Sequence, residues 1–243
     1  MKKILILGYG YVARHLKDYL KIQEPDSEVI TTSRTDKQHC IFNLEDSKTW
    51  NHLPNVDETF WTFPATSLEL TKLFLQEKSK SLGKLVIIGS TSGFLVEENG
   101  QMIHENSKRD FTRERVCAEE WVRNHGGSVI CASGIYGPGK HPKDWLIKGL
   151  VSPSEKLVNL IHVDDLVQIL FKAMKKGRAG SLYLASDENT YSWKQIHQFL
   201  QSQQAFSLPS SVVESKGFSK VVNSSKTIKE LGVQLKHPSF ISG

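Results

Sequence analysis

Cysteine is scarce: Cys40, Cys117 and Cys131 are odd in number, widely spaced and without metal-type pairing. They suggest neither a disulfide framework nor a thiolate metal site, and a reducing cytoplasm is the expected compartment. Long hydrophobic runs are also missing, since no stretch approaches the ~20 apolar residues of a membrane span. Lys2-Lys3 before Ile-Leu-Ile-Leu looks superficially like a secretion signal, but Gly8, Gly10 and Arg14 cut the run short. Charge of one sign is barely in excess: 31 Lys and Arg against 26 Asp and Glu leave +5. With no basic block interleaved with aromatics, nucleic acid is not an expected partner, and an anionic cofactor or substrate accounts for the excess. No internal repeat or low-complexity segment is present, and the loosest composition falls at Ser207 to Lys220.

What is there suits a globular chain. Hydrophobic content of 39% and charged content of 23% over 243 residues support one large α/β domain, or a domain with a small appendage. No long apolar helix face stands out, so a monomer or homodimer is expected.

Residues 3 to 16, Lys-Ile-Leu-Ile-Leu-Gly-Tyr-Gly-Tyr-Val-Ala-Arg-His-Leu, organise the reading. Ile4 to Leu7 predict a short strand, and Tyr11 to Leu20 carry apolar residues at helical spacing. Between them Gly8, Tyr9, Gly10, Tyr11, Val12 and Ala13 form a G-x-G-x-x-A turn. Gly8 permits the reversal, Gly10 lets a pyrophosphate approach the backbone, and Ala13 allows close helix–strand packing. The open helix end faces the phosphates. A glycine turn can also serve an ordinary βαβ unit, but the strand before it and helix after it favour a dinucleotide.

The second strand, Glu28 to Thr32, runs into Ser33 and Arg34, where an NAD-preferring site carries Asp or Glu. Ser33 can donate to a 2′-phosphate and Arg34 can pair with it or stack on adenine, so NADP is expected, with NAD the alternative. Arg34 as a solvated loop residue is the plainer reading. A third strand ending near Phe42-Asn43-Leu44 and a fourth, Glu58 to Thr62, bring their ends to the carboxyl edge of a parallel sheet. Phe63, Pro64, Ala65 and Thr66 either line the cofactor there or form an ordinary turn. A helix is expected from Ser67, its N-cap, to about Lys80, with Gly83 beyond its end. Lys84 to Gly89 reads as a buried strand, leading into Ser90-Thr-Ser-Gly-Phe94.

Five segments together resemble the extended, atypical branch of the short-chain dehydrogenase/reductase superfamily, the NAD-dependent epimerase/dehydratase family. They are Gly8 to Ala13, Ile88 to Ser92, Gly134-Ile-Tyr-Gly-Pro-Gly139, Ile161-His-Val-Asp-Asp-Leu166, and the tail from Glu230-Leu-Gly232 through His237 to Gly243. They follow the family's order across nearly the whole chain. The resemblance implies that Ser90, or its neighbour Thr91, hydrogen-bonds the reacting oxygen of a substrate. The family's acid/base pair is a Tyr and a Lys one helical turn apart. Glu119 sets the register of the matching helix, which puts Phe111 at the Tyr position and Arg115 at the Lys position.

Phe111 has no proton to give, although Arg115 can still hold ribose hydroxyls. Tyr136-Gly-Pro-Gly-Lys140 has the same spacing but reads as a loop. Replacement proton donors are His104, beside Glu105 on the loop before the helix, and Tyr136. His104 is equally a solvated loop residue. His141, Lys143, Trp145 and Lys148 form a basic, aromatic segment suited either to an anionic substrate or to plain surface. Asp164 or Asp165 is the expected N-cap of a helix after the strand Leu157 to Ile161, and no catalytic role falls to His162. Later elements are a strand at Leu182 to Ala185, a helix capped near Ser192, a strand near Lys220 to Val222 and a helix near Ser224 to Leu231. Trp193, Phe199 and Phe206 are expected in the core.

The expected fold is α/β: a doubly wound, mostly parallel Rossmann-type sheet over 1–155 plus 156–190, with a small C-terminal α+β substrate portion over 191–243. The expected function is an atypical NADP-binding oxidoreductase or epimerase-like protein with a small, anionic or nucleotide-sugar-like substrate. No metal site is assigned. The rival is a noncatalytic NADP-binding regulatory or redox-sensing protein.

Overall fold

The structure, a computed structural model, describes residues 1–203 and 217–241. β1 (Lys3–Leu7) is buried from Ile4 onward and hands over at a glycine turn to α1 (Tyr11–Gln23). Val12, Ala13, Leu16 and Leu20 recur at helical spacing and bury one face of α1. β2 (Glu28–Ser33), β3 (Cys40–Ile41) and β4 (Glu58–Trp61) follow, and then α2 (Leu68–Leu82). Ser67 caps α2 by accepting the Leu70 N–H at 3.2 Å, and Gly83 ends it at φ +59°, where an added Cβ would lie 2.1 Å from the Asp57 carbonyl oxygen.

The chain continues through β5 (Lys84–Ser90), β6 (Gln101–Ile103), α3 (Glu114–Asn124), β7 (Ser128–Ala132), β8 (Gly134–Tyr136) and α4 (Pro142–Ile147). It closes with β9 (Leu157–His162), α5 (Val163–Lys176), β10 (Leu182–Ala185), β11 (Thr190–Ser192), α6 (Trp193–Gln203), β12 (Lys220–Val222) and α7 (Ser225–Leu231).

The central sheet has seven strands in the order β10-β7-β5-β4-β1-β2-β3, and every neighbouring pair is parallel. Such a sheet needs helices on both faces, and the alternation of β1 shows how the sequence supplies two cores. Ile4 and Ile6 pack with Leu16, Val86, Leu166 and Leu170, while Leu5 and Leu7 pack with Phe74, Ile87, Val122 and Val129. Strand order reverses between β1 and β4, so the crevice beyond their carboxyl ends is the place for a ligand. A smaller sheet pairs β8 parallel and β11 antiparallel to β9, and β12 pairs with β6. Trp193 and Phe199 belong to a third apolar cluster beside the small sheet; Phe206 lies outside the described residues.

Four local expectations need correction. α3 begins at Glu114, so Phe111 is not on it; the Asp110 side chain takes the N–H and hydroxyl of Thr112 and the guanidinium of Arg113, holding a turn there. The stretch expected as a glycine loop opens with strand β8, because Gly134 to Tyr136 pair with Leu160 to His162. His141 caps a short helix, α4, within the segment read only as basic and aromatic. The N-cap of α5 is His162, whose Nδ1 accepts the Asp164 N–H at 3.2 Å. Asp165 instead points to the tail, accepting the N–H groups of Lys236 and His237 at 2.7 and 2.9 Å.

Candidate functional site

The glycine turn is held from both sides. The Gly8 N–H donates to Thr32 Oγ1 at 2.8 Å, and the Thr62 hydroxyl lies 2.9 Å from the carbonyls of Leu7 and Gly8. Gly8 sits at φ +83°, and an added Cβ would come 2.8 Å from Phe63 Cδ1. Gly10, the N-cap of α1, offers no side chain to the helix, and the first turn holds no acidic residue. An added Cβ at Gly10 would meet nothing within 4 Å. The helix therefore presents open N–H groups and its positive end to the crevice, the arrangement an anion needs.

In front of this turn lies a cavity of about 510 Å³ lined by Gly8, Tyr9, Gly10, Ser33, Arg34, Phe63 and Pro64. Tyr11, Val12 and Ala13 stand behind the turn: Val12 and Ala13 are core residues, and the Tyr11 hydroxyl is buried against Gly137 without a hydrogen-bond partner. Ser33 Oγ accepts the Asp36 N–H at 3.1 Å, which leaves its proton free to donate. Phe42, Asn43 and Leu44, at the end of β3, join the lining, as do Thr66, Ser67 and Leu70. The carboxylate in this lining is Glu45, beyond β3, and not a residue closing β2. The lining thus offers open backbone, a guanidinium and aromatic faces.

At the end of β5 the serines and threonine separate. Ser90 Oγ lies 2.9 Å from Ser92 Oγ and accepts the Ser92 N–H at 3.2 Å, at the partly exposed strand end. Thr91 is buried, and its hydroxyl turns to the Ala132 carbonyl at 3.4 Å. Arg115 reaches the same strand through the Ile88 carbonyl at 3.4 Å, but its Nε is held by Glu119 at 2.7 Å. Phe111, 55% exposed, borders a shallow hollow with Leu68, Lys72 and Cys117 instead of facing Arg115. His104 is exposed, with Nδ1 accepting the Asn106 N–H, and it lines neither this cavity nor the one below.

Tyr136 lines a second cavity of about 420 Å³, with Gly137, His141, His162, His237 and Phe240. Burial, helped by the Asp187 charge, pushes its phenol well above the usual tyrosine range, so it is held protonated. Burial also lowers the affinity of His162 for a proton, and the neighbouring His237 adds to this. The outer wall of this cavity is the tail, fastened by Gln168 to both backbone groups of Gln234, by Asn189 to the Pro238 carbonyl and by Tyr191 to the Phe240 N–H. Sequence reading missed these fasteners, as it missed Thr32 and Thr62, because each pairs with residues far along the chain. For Thr32 and Thr62 the available signal was a hydroxyl at the end of each strand beside the glycine turn.

No known family model matches the chain. Protein YeeZ of Escherichia coli strain K12 is 24% identical over 127 residues, which is 49% of this chain and 45% of that protein. The chain thus spans about half the length of the curated relatives it matches. Among solved structures, the Helicobacter pylori ADP-L-glycero-D-manno-heptose-6-epimerase superposes with a TM-score of 0.78 at 17% identity, covering 99% of this chain and 94% of that one. RMD from Pseudomonas aeruginosa, complexed with NADPH, gives 0.73 at 13% identity, covering 97% and 94%. The chain therefore has the fold of the NAD-dependent epimerase/dehydratase and short-chain dehydrogenase/reductase enzymes. No helix of the described residues is long and apolar enough to cross a membrane.

Proposed function

We propose that this chain binds NADP in the crevice beyond β1 and β4 and acts as an atypical, epimerase-like oxidoreductase on a small anionic or nucleotide-sugar-like substrate. The observation that carries this reading is the uncapped, acid-free start of α1, beside a cavity whose lining includes Ser33 and Arg34. A carboxylate at either position would repel a 2′-phosphate, whereas this pair can donate to it and neutralise it. The fold shared with RMD, solved with NADPH, supports the same cofactor class. When bound, the nicotinamide supplies or accepts hydride at its C4.

The chain's own part is orientation. Ser90, partly exposed and hydrogen-bonded to Ser92, orients the substrate oxygen through its hydroxyl. Arg115 holds positive charge at the end of β5. The described residues of the C-terminal portion, 191–203 and 217–241, form the substrate side, and the free thiols Cys40, Cys117 and Cys131 suit a reducing cytoplasm.

A second reading, a noncatalytic NADP-binding regulatory protein, is favoured by one specific arrangement. Phe111 stands off α3 and Arg115 is engaged by Glu119, so no phenol–lysine pair exists at this place. Fluorescence titration with NADPH and, separately, NADH tests the cofactor. Tighter NADPH binding that weakens about tenfold in Arg34→Ala supports it, and no binding of either nucleotide overturns both readings. Turnover of carbonyl or nucleotide-sugar substrates that is lost in Ser90→Ala then separates enzyme from regulator.

A further inference from the structure

The start of α5 gathers imidazoles around one carboxylate. Asp164 Oδ2 lies 3.8 Å from His162 Nδ1 and 3.8 Å from His237 Nε2, and its Oδ1 lies 3.6 Å from His15 Nδ1. No lysine or arginine forms an ion pair with Asp164 among the described residues. The rings of His162 and His237 stand side by side, centroids 3.6 Å apart and 32° from parallel. His162, Asp164 and His237 each offer a ligand atom, and these atoms all lie within 4.8 Å of one another.

We propose that His162, Asp164 and His237 form a binding site for one divalent transition-metal ion of the zinc type, which fastens the C-terminal tail to the start of α5. Two imidazole nitrogens and one carboxylate oxygen are a borderline donor set that suits Zn²⁺, Ni²⁺ or Co²⁺, whereas Mg²⁺ and Ca²⁺ prefer oxygen alone. Bonds of roughly 2.0–2.2 Å from a tetrahedral ion bring ligand atoms to about 3.3–3.6 Å from one another, so the two 3.8 Å pairs are near that spacing and the cluster as a whole, within 4.8 Å, must contract to bind an ion. The parts that must move are the ones free to do so: Asp164 and His237 are partly exposed, while His162 is buried. His15, on the second carboxylate oxygen, is placed as the outer partner that orients a metal-bound carboxylate.

One local feature limits the affinity. His162 Nδ1 already accepts the Asp164 N–H as the helix cap, so a metal at that nitrogen displaces a hydrogen bond. Weaker binding than at a closed four-ligand protein site is expected, with the fourth position left to water. The consequence reaches the second cavity, since His237 belongs to the tail that walls it and would become covalently coordinated to the body of the fold. This inference is independent of the cofactor reading, because none of the three residues lines the dinucleotide crevice.

The test uses the full chain, treated with EDTA and titrated calorimetrically with Zn²⁺, in parallel with Co²⁺ followed by its visible d–d bands and with Mg²⁺. Support is one equivalent of Zn²⁺ or Co²⁺ bound, no Mg²⁺ binding, and a loss of at least tenfold in affinity in both His237→Ala and Asp164→Asn. His104→Ala, at an exposed donor, and Cys117→Ser, at a partly buried one, both outside the cluster, should leave the affinity unchanged. Circular dichroism of the two site variants checks that they fold. Absence of stoichiometric binding, or binding that survives in both folded site variants, overturns the proposal.

Discussion

Arg115 and Glu119, one turn apart on α3, are joined through Nε and Oε1 at 2.7 Å, and the other carboxylate oxygen of Glu119 is held by Arg109 at 2.5 Å. Glu119 is 1% exposed, and Arg109 stacks its guanidinium 5.0 Å from the Phe94 ring while its Nε and Nη1 find no partner. One carboxylate thus compensates two guanidiniums beneath the end of β5. Removing it leaves Arg109 buried and uncompensated, which costs about 3–5 kcal/mol. Glu119→Gln should lower unfolding stability by that order in urea denaturation, and Arg115→Met by much less, since Arg115 is partly exposed.

Because Phe111 precedes α3 and is exposed, the pair Phe111→Tyr with Arg115→Lys does not rebuild a phenol–lysine couple. The double variant should gain no carbonyl-reducing activity in a stopped-assay comparison with the wild type. Appearance of turnover above wild type would mean that the segment before Glu114 can join the helix.

Gly8 stands at the switch point, where a methyl group would meet the edge of Phe63 at 2.8 Å in a backbone conformation that L-residues rarely adopt. Left-handed backbone costs roughly 1–2 kcal/mol for a residue with a Cβ. Gly8→Ala should therefore destabilise the fold by about that much and weaken NADPH binding at least tenfold, because Phe63 and the turn line the same cavity. Urea melts and the fluorescence titration read the two effects separately.

How far the sequence revealed these features depended on sequence distance. The turn from Leu7 to Tyr11, the cap at Ser67, the stop at Gly83 and the hydroxyls after β5 were legible because strand, glycine and capping signals act over a few residues. The start of α3 was not, since the Asp110 turn competes with the helix and motif register alone extended it backward. Asp164 and Asp165 read as caps by residue type. Yet an imidazole capped α5, and Asp165 was claimed by backbone groups of Lys236 and His237 that no local pattern announces. The cluster of His162, Asp164 and His237 was invisible for the same reason, being assembled by the tail's path over α5.

Asp187 sets the pH response of that tail region. It is 1% exposed, one carboxylate oxygen accepts the Asn189 N–H at 3.0 Å, and the other has no partner. Burial pushes its carboxyl up to about 7 from an ordinary value of 3.8. Below about pH 4 both folded and unfolded chains carry the proton, and this group's contribution to stability is at its maximum. As pH rises toward 7 the unfolded chain releases the proton while the folded one keeps it, so stability falls until the folded carboxyl ionises as well. A gap of about 3 pH units corresponds to about 4 kcal/mol between the two limits. Asp187→Asn removes the titration while keeping an acceptor for the Asn189 N–H. In urea denaturation the variant should therefore gain on the wild type by a few kcal/mol between pH 5 and pH 8. An unchanged difference between the two proteins at those pH values would show that Asp187 is already ionised in the fold at pH 5.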